Sequence, residues 1–338
     1  MKVKAVMVRI LLQLVHDKRT IGLMILSPIL VLTLMSIIFN GSDYHPKIGI
    51  INAPINFVNK LEDNDVKVIR YTENNGYKIL EASEIDAIIN FENGVPKITL
   101  EGSNPNRSKV VINITKNALL QLNQNVKTDI TYLYGYDDMA DFDNFGPILI
   151  GFFVFFFVFL IAGIAFLKER TTGTLERILA TPIRRWEIVI GYLLGFGAFT
   201  IIQSALIAWY SINVLNIMMI GSFSLVLLIT ILTAMAALTI GTFISAFANN
   251  ELQIIQFIPI VIVPQVFFSG LFEITTMPPF LQSLGHFMPL WYSADALRRI
   301  MLRGKGLSDI KFDALILILI CIFFTAANIL ALKKYRKI

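Results

Sequence analysis

The chain has 338 residues, of which 55% are hydrophobic and 16% are charged, and its formal net charge is +5. A soluble globular protein carries charge on about a quarter of its residues. The low charge therefore excludes an ordinary soluble enzyme and predicts segments that lie in a membrane. The single cysteine, Cys321, excludes a disulfide framework and a thiolate metal cluster.

Long uncharged stretches predict six membrane-spanning helices, because a helix needs about 20 apolar residues to cross a bilayer. The stretch between Arg19 and Asp43 has 23 uncharged residues, and the stretch between Asp143 and Lys168 has 24. The 63 residues between Glu187 and Glu251 are long enough for two helices. The six spans are predicted at about 21–40, 147–167, 188–212, 223–247, 252–272 and 314–332.

Residues 1–20 repeat apolar side chains at steps of three and four, with basic side chains on the other face. This pattern predicts an amphipathic connecting helix in the inner headgroup layer; the alternative is a solvated helix in a soluble subcomplex. No A-x-A-like cleavage site follows Phe39, so residues 21–40 are interpreted as an uncleaved anchor rather than a secretory signal.

Residues 41–146 are more polar and predict a small extracytoplasmic α/β domain between spans one and two. Short β-type runs predict strands at 47–51, 66–71, 85–91 and 97–100. Helices are predicted near 54–63, 75–83 and 107–131.

The distribution of Lys and Arg predicts that both termini are cytoplasmic. The segments placed inside by this choice are 1–20, 168–187, 248–253 and 333–338, with a net charge of +9, whereas segment 41–146 carries −5. The basic residues of the last outer loop depart from this rule: Arg298, Arg299, Arg303, Lys305 and Lys311. The remainder, 147–338, is predicted to be a five-helix transmembrane domain.

A short helix is predicted in the cytoplasmic loop 168–187, between Gly173 and Pro182. Its apolar residues share one face, flanked by Glu176 and Arg177. Such a face could contact a partner protein or pack on the membrane surface, and the spacing favours neither.

The segment between the last two spans is uncharged from 274 to 294 but is interrupted by Pro278, Pro279 and Pro289. These prolines would break a lipid-facing helix, so 273–310 is predicted to be an outer re-entrant segment. Within the spans, small residues at steps of four predict close helix packing: Gly191 with Gly195, and Thr233, Ala237, Gly241 and Ser245.

The sequence has no G-x-x-x-x-G-K-[ST], H-E-x-x-H or G-x-S-x-G motif, so we expect no catalytic, cofactor or metal site in this chain. The predicted spans contain no ionisable residue apart from cysteine and tyrosine, whereas ion-driven carriers usually place a charged residue at mid-membrane. The energy for any transport is therefore expected to come from another chain.

Two motifs resemble those of ABC-2 type exporter permeases. The first is Lys168-Glu169-Arg170 followed by Gly173-Thr174-Leu175-Glu176-Arg177 and Thr181-Pro182, which resembles the loop between spans two and three. The second is Phe268-Ser269-Gly270 followed by Pro278-Pro279 and Pro289-Leu290-Trp291-Tyr292, which resembles the re-entrant region of the family. The domain at 41–146 is similar to that of antibiotic and multidrug export permeases.

The resemblance implies a permease that pairs with a second, identical or related permease and with separate ATP-binding subunits that hold ATP and Mg²⁺. The short helix would be a coupling helix that docks on the ATPase. The resemblance thus favours contact of its apolar face with a partner protein over packing on the membrane surface. The implied coupling residues are Gly173, Leu175, Glu176, Arg177, Ile178, Leu179 and Pro182. The implied re-entrant residues are Gly270, Pro278, Pro289, Tyr292, Asp295 and Arg298.

The expected substrate is a hydrophobic or amphiphilic antibiotic, drug or lipid, exported across the cell membrane. Its predicted path is lined by aromatic residues on spans three and five: Phe196, Phe199, Phe257, Phe267 and Phe268. The expected partners are membrane lipid and the subunits named above, and no nucleic acid. The alternatives are a membrane-anchored surface receptor or assembly protein that uses 41–146 to recognise a ligand, and an ion-driven carrier.

Overall fold

The computed structural model describes residues 2–39, 45–64, 66–82, 84–92, 95–101, 105–122, 141–272 and 278–335. The chain forms two compact units, one comprising Met1–Gly41 with Tyr132–Ile338 and the other Ser42–Thr131. The first is helical and the second is an α/β unit.

The α/β unit contains four described strands, which overlap the four predicted ones. They are β1 (Lys47–Ile51), β2 (Lys67–Arg70), β3 (Ala87–Glu92) and β4 (Val95–Leu100). Its helices are α3 (Ile55–Glu62), α4 (Glu73–Glu81) and α5 (Pro105–Leu122). The long helix predicted at 107–131 is thus observed to Leu122, and residues 123–131 lie outside the described residues.

The sheet has the strand order β2-β1-β3-β4. Strand β1 is parallel to β2 and β3, whereas β3 and β4 form an antiparallel pair. On one face, Ile48 and Ile50 pack with Phe57 of α3 and Val111 of α5. On the other face, Ile51 packs with residues of α4 and β3. Helices on both faces explain why β1 is a continuous apolar run rather than an alternating one.

The helical unit begins with α1 (Lys2–His16) and α2 (Lys18–Phe39) and continues from α6 (Asp141–Thr171). The elements after α6 are α7 (Thr174–Leu179), α8 (Arg185–Asn213), α9 (Phe223–Ser245), α10 (Glu251–Val266), a π-helical turn (Phe267–Leu271), α11 (Pro279–Gly285), α12 (Pro289–Met301), α13 (Leu307–Ala331) and a 3-10 turn (Leu332–Tyr335).

Five described helical segments are long and apolar enough to cross a membrane: Phe142–Thr171, Arg185–Asn213, Phe223–Ser245, Glu251–Leu271 and Leu307–Ala331. They correspond to the second to sixth predicted spans. In α2, the shorter stretch Met24–Ile37 is apolar. A role of α2 as the first span therefore stays a prediction.

Helices α6 and α9 pack closely because α9 presents small residues to α6. A Cβ atom added to Gly241 would lie 2.5 Å from the backbone oxygen of Phe159. Thr233, Ala237 and Ser245, which precede and follow Gly241 at steps of four, are buried. The small-residue pattern is thus confirmed as a packing surface within the chain.

Buried polar side chains join helices of the unit at further points. Thr233 Oγ1 donates to Ser293 Oγ of α12 at 2.6 Å, and Asn328 Nδ2 of α13 donates to the Thr239 carbonyl at 2.9 Å. Gln265 Oε1 accepts the Leu290 amide at 3.0 Å, near the start of α12. Such bonds satisfy polar groups that would be costly to bury unpaired.

Segments that the charge distribution places on one side of the membrane meet at one end of the helical unit. Three contacts join them: Lys2 with the Pro182 carbonyl, Arg9 with Glu169, and Arg170 with the Ala248 carbonyl. At the opposite end, the Met218 amide donates to Asp143, and the Ile220 amide donates to the Met301 carbonyl. The loops are thus grouped at two ends, and which end faces the cytoplasm stays a prediction.

The close approach at Gly241 predicts the effect of a single methyl group. We expect Gly241→Ala to lower the free energy of unfolding by about 1–3 kcal/mol, because Phe159 contributes a backbone atom that cannot rotate away. The matched control is Gly22→Ala in α2, where an added Cβ meets nothing within 4 Å. Thermal unfolding of the purified proteins in detergent would measure both, and equal stability of the two variants would contradict this packing.

Candidate functional site

The helix predicted between Gly173 and Pro182 is observed as α7, which follows a tight turn at the end of α6. Its coupling role stays a prediction. Gly173 has φ of +73°, in the left-handed region that glycine adopts without strain. An added Cβ there would meet nothing within 4 Å, so the glycine is needed for backbone conformation rather than for close packing. This turn lets α7 begin directly after α6.

The apolar face of α7 is covered by the same chain. Leu175 is 1% exposed and Leu179 is 7% exposed, and both belong to the main core of the helical unit. Ile178 is half-buried, whereas Glu176 and Arg177 are exposed. The surface that α7 offers to another molecule is therefore its charged side, and the two leucines hold the helix in place.

The chain after α7 is fixed by hydrogen bonds. Thr181 Oγ1 donates to the Ile178 carbonyl at 2.6 Å, and Lys2 Nζ donates to the carbonyl of the exposed Pro182. The Arg184 amide donates to Glu187 Oε2 at 2.6 Å, which caps the first turn of α8. The loop is thus tied to the leader helix on one side and to α8 on the other.

A buried charge cluster lies beside this loop. Arg9 Nη2 donates to Glu169 Oε2 and to the Tyr192 hydroxyl, each at 2.8 Å. The Tyr192 hydroxyl donates to the same Glu169 oxygen at 2.8 Å. Glu169 and Tyr192 are buried. This charge triangle, Arg9–Glu169–Tyr192, joins α1, α6 and α8.

Burial alone would disfavour the charged form of Arg9, so the contacts within the charge triangle must compensate for that cost. Burial disfavours the charge of Arg9, but Tyr192 and Glu169 outweigh that cost and raise the pKa of the guanidinium. The guanidinium also lies 5.7 Å from the centre of the Tyr192 ring, within the range of a cation–π contact. Glu169 would be an uncompensated buried charge without Arg9.

Two glycines let the leader helix α1 lie against α8. A Cβ on Gly191 would be 2.7 Å from Val6, and a Cβ on Gly195 would be 2.8 Å from Ile10. Val6 and Ile10 are buried residues of α1 and lie on the side of that helix that contacts α8. The predicted small-residue pair is thus confirmed as a packing surface, and its partner is the leader helix.

Arg170, the next residue after Glu169, joins the same region to the end of α9. Its Nη1 atom donates to the Ser245 carbonyl and, at 3.0 Å, to the Ala248 carbonyl. A cation at this position also complements the partial negative charge of a helix C-terminus. Two adjacent residues of α6 therefore join three other helices. Glu169 contacts α1 and α8, and Arg170 contacts the end of α9.

Sequence reasoning did not identify Arg9, Glu169, Arg170 and Tyr192 as a structural set. The loop motif includes Glu169 and Arg170, and Arg9 is one of the basic residues on the polar face predicted for residues 1–20. The available signal was an acidic residue at the end of an apolar span, where a burial partner is required. The partner itself lies 160 positions away along the chain.

The aromatic residues predicted to line a substrate path do not converge on one cavity in the described part of the chain. Phe196 and Phe199 are buried in α8, and Phe268 is buried in the π-helical turn. Phe257 is half-buried near Leu167, and Phe267 is 47% exposed and stacked on Phe272 at 5.0 Å. A common path along these five residues stays a prediction.

The segment predicted to be re-entrant contains two helices, α11 and α12, which are separated by residues 286–288. Pro278 precedes α11, and Pro289 begins α12, where a proline is compatible with a helix start. Gly270 has φ of +85°, and its carbonyl accepts a bond from Arg298 Nη2 at 2.9 Å. Residues 273–277 lie outside the described residues.

Paired groups also explain part of the unexpected positive charge in this segment. Arg299 forms an ion pair with Asp295 at 2.6 Å, and Arg298 binds the Gly270 carbonyl. The Tyr292 hydroxyl donates to the His286 carbonyl at 2.8 Å across the break between α11 and α12. These two arginines therefore make contacts within the segment, and the membrane side of the segment stays a prediction.

A family model described as ABC-2 family transporter protein matches residues 18–330, which is most of the sequence and includes α7 and the broken helices. The chain belongs to the ABC-2 transporter family. The family and the five long apolar helices of the described residues indicate a multi-pass membrane protein that is the membrane subunit of a transporter.

Similar proteins include several transporter permeases. The chain is 25% identical over 296 residues to ABC transporter G family member 20 of Dictyostelium discoideum, covering 86% of this chain and 38% of that protein. It is 22% identical to the probable multidrug ABC transporter permease YbhR of Escherichia coli K12, covering 67% and 64%. It is 27% identical to the linearmycin resistance permease protein LnrN of Bacillus subtilis 168, covering 54% and 48%. The chain thus spans less than two thirds of the length of each.

The charge triangle predicts a coupled effect of two substitutions. We expect Glu169→Ala to lower the free energy of unfolding by about 1–3 kcal/mol and to increase hydrogen exchange in residues 2–16, because Arg9 loses its buried partner. Arg9→Ala combined with Glu169→Ala should cost less than the sum of the single changes.

The control for this experiment is Glu62→Ala, which removes an exposed carboxylate from α3. It should leave both measurements within the range of the unmodified protein. Strict additivity of the Arg9 and Glu169 substitutions would contradict the interaction, as would unchanged exchange of the leader helix.

Proposed function

We propose that this permease is the membrane-spanning subunit of an ATP-binding cassette exporter and that a separate subunit binds ATP and Mg²⁺ and hydrolyses the ATP. The main support is α7, whose apolar side is fixed in the helical unit while Glu176 and Arg177 are exposed. A partner that binds this charged side would act on a helix that cannot move independently of the bundle.

The route of this action follows the contacts of the loop. A displacement of α7 reaches the core through Leu175 and Leu179. It reaches α1 through the bond between Lys2 and Pro182 and through the charge triangle. A ligand changes a conformational equilibrium only through contacts that differ between the states. In this proposal the contacts of Glu176 and Arg177 with the ATPase are those contacts.

The remaining parts of the proposal concern the assembly and its cargo. The permease pairs with a second permease, both termini are cytoplasmic, and the α/β unit lies outside the plasma membrane. The α11–α12 pair is the outer re-entrant element, and α2 is the first of six spans. The cargo is a hydrophobic or amphiphilic molecule, consistent with relatives whose names refer to multidrug transport and to linearmycin resistance.

Docking on the charged side of α7 can be tested by a double substitution. We expect Glu176→Ala with Arg177→Ala to reduce recovery of the ATP-binding chain with the permease by about tenfold or more, since loss of one hot-spot side chain at an interface costs about 2 kcal/mol or more and about 1.4 kcal/mol corresponds to tenfold. The permease itself should fold normally because Leu175 and Leu179 are unchanged.

The measurement is affinity purification from native membranes, with the recovered chain identified by mass spectrometry as one that contains G-x-x-x-x-G-K-[ST]. The matched control is Lys60→Ala with Asp63→Ala, which removes an exposed ion pair near the end of α3. Equal recovery with the α7 variant and the control would contradict docking at Glu176 and Arg177.

A further inference from the structure

A proline interrupts the backbone hydrogen bonding in the middle of α2. Pro28 lies inside this helix and is buried. A proline has no N–H group to donate to the carbonyl four residues earlier, and its ring clashes with that carbonyl. In α2 the carbonyl concerned is that of Met24, which is also a buried residue. A buried carbonyl requires another donor, because leaving it unpaired costs free energy.

The missing donor comes from the neighbouring helix α8. Gln203 Nε2 donates to the Met24 carbonyl at 3.2 Å, and Gln203 is itself buried. Among the described residues, the other polar atom of this side chain, Gln203 Oε1, has no hydrogen-bond partner. The side chain thus pairs the carbonyl that Pro28 leaves without a donor, while one of its own acceptors stays unpaired.

Pro28 divides α2 into two halves, 18–27 and 29–39, and each half is joined to α8 by a hydrogen bond. The first half is joined by the bond from Gln203 to Met24. The second half is joined at Thr33, whose Oγ1 atom shares a hydrogen bond with the Tyr210 hydroxyl at 2.7 Å. Sharp changes of direction in helices occur at prolines, where a backbone hydrogen bond is missing. The two bonds therefore fix the angle between the halves.

A cavity of about 470 Å³ lies beside the first half of α2. Met24 and Ser27 contribute to its lining, together with Phe196 of α8 and Phe157 of α6. A change in the angle at Pro28 would move Met24 and Ser27 relative to Phe196. The bond between Gln203 and Met24 therefore lies where it can control the width of this cavity.

We propose that α2 is hinged at Pro28 and that Gln203 is a latch that holds the hinge at its observed angle. In the latched state, Gln203 Nε2 donates to the Met24 carbonyl. In the released state this bond is broken, residues 18–27 move away from α8, and the Gln203 amide is hydrated in the widened cavity. The unpaired Oε1 atom makes the latched state less stable and keeps the released state accessible. The hinge lies within the permease, so this inference goes beyond the proposed function and does not require it.

The latch can be tested by replacing it with an apolar side chain of similar length. Gln203→Met removes the donor to the Met24 carbonyl. One acceptor stays unpaired in the latched state of either protein, Gln203 Oε1 before the change and the Met24 carbonyl after it. The change therefore removes one hydrogen bond, and we expect the ratio of released to latched protein to rise by about twofold to tenfold.

The measurement is double electron–electron resonance on the full-length permease in nanodiscs, with Cys321→Ser as the background. One pair of spin labels, at the exposed positions 22 and 209, reports the distance between the first half of α2 and α8. A reference pair, at the exposed positions 37 and 194, reports the second half. The longer-distance population should grow for the first pair, and the reference pair should not change because the second half keeps its own bond to α8.

Restoring the backbone donor distinguishes a hinge from a general loss of stability. Pro28→Ala supplies the N–H group for the Met24 carbonyl, so adding it to Gln203→Met should abolish the longer-distance population. Pro28→Ala alone should reduce the same population in the otherwise unmodified protein. The matched controls lie at exposed positions of α10. Gln256→Met should leave the ratio unchanged, and Pro259→Ala should not reverse the effect of Gln203→Met.

Three results would overturn the proposal. An unchanged distance distribution in Gln203→Met would show that the bond does not hold α2 at its angle. Persistence of the longer distance in Pro28→Ala, alone or combined with Gln203→Met, would show that the hinge is elsewhere. Equal broadening of the reference pair would show a general loosening of α2. Because the permease is tested without an ATPase, hinge movement and recovery of the ATP-binding chain can fail independently.

Discussion

The buried carboxylate of Glu169 constrains the end of the helical unit at which α6 meets α7. A charge in that position must be paired, and its partners come from two other helices, Arg9 of α1 and Tyr192 of α8. The next residue, Arg170, binds carbonyls at the end of α9. One turn of α6 therefore fixes the relative positions of four helices immediately before the chain enters α7.

The packing of α7 against the helical unit gives this short helix a stability that it would not have alone. An isolated helix of six residues would not be stable in water, and here it is held by Leu175 and Leu179 in the main core. Close-packed interiors transmit displacement because they contain little free volume. In the proposed exporter, the charged side of α7 receives the movement of the ATPase, and the leader helix, α6 and α8 receive it in turn.

The sequence was sufficient to predict the elements whose signal is local. Uncharged runs located the five long apolar helices, and short β-type runs located the strands of the α/β unit. Periodicity also predicted the apolar face of α7, but it could not reveal that Leu175 and Leu179 are covered by the same chain. The charge triangle could not be predicted because its pairing depends on the packing of helices whose residues are far apart in the sequence. For the same reason, the sequence did not reveal that the five aromatic residues of the predicted path lie in separate environments.

The most direct test of the central claim is site-specific photo-cross-linking in native membranes. A photoreactive residue at position 177 on α7 is compared with one at position 307, which is exposed at the opposite end of the helical unit. We expect position 177, and not position 307, to cross-link to a chain that contains G-x-x-x-x-G-K-[ST]. Absence of that product at position 177, or equal capture at both positions, would contradict the coupling role of α7.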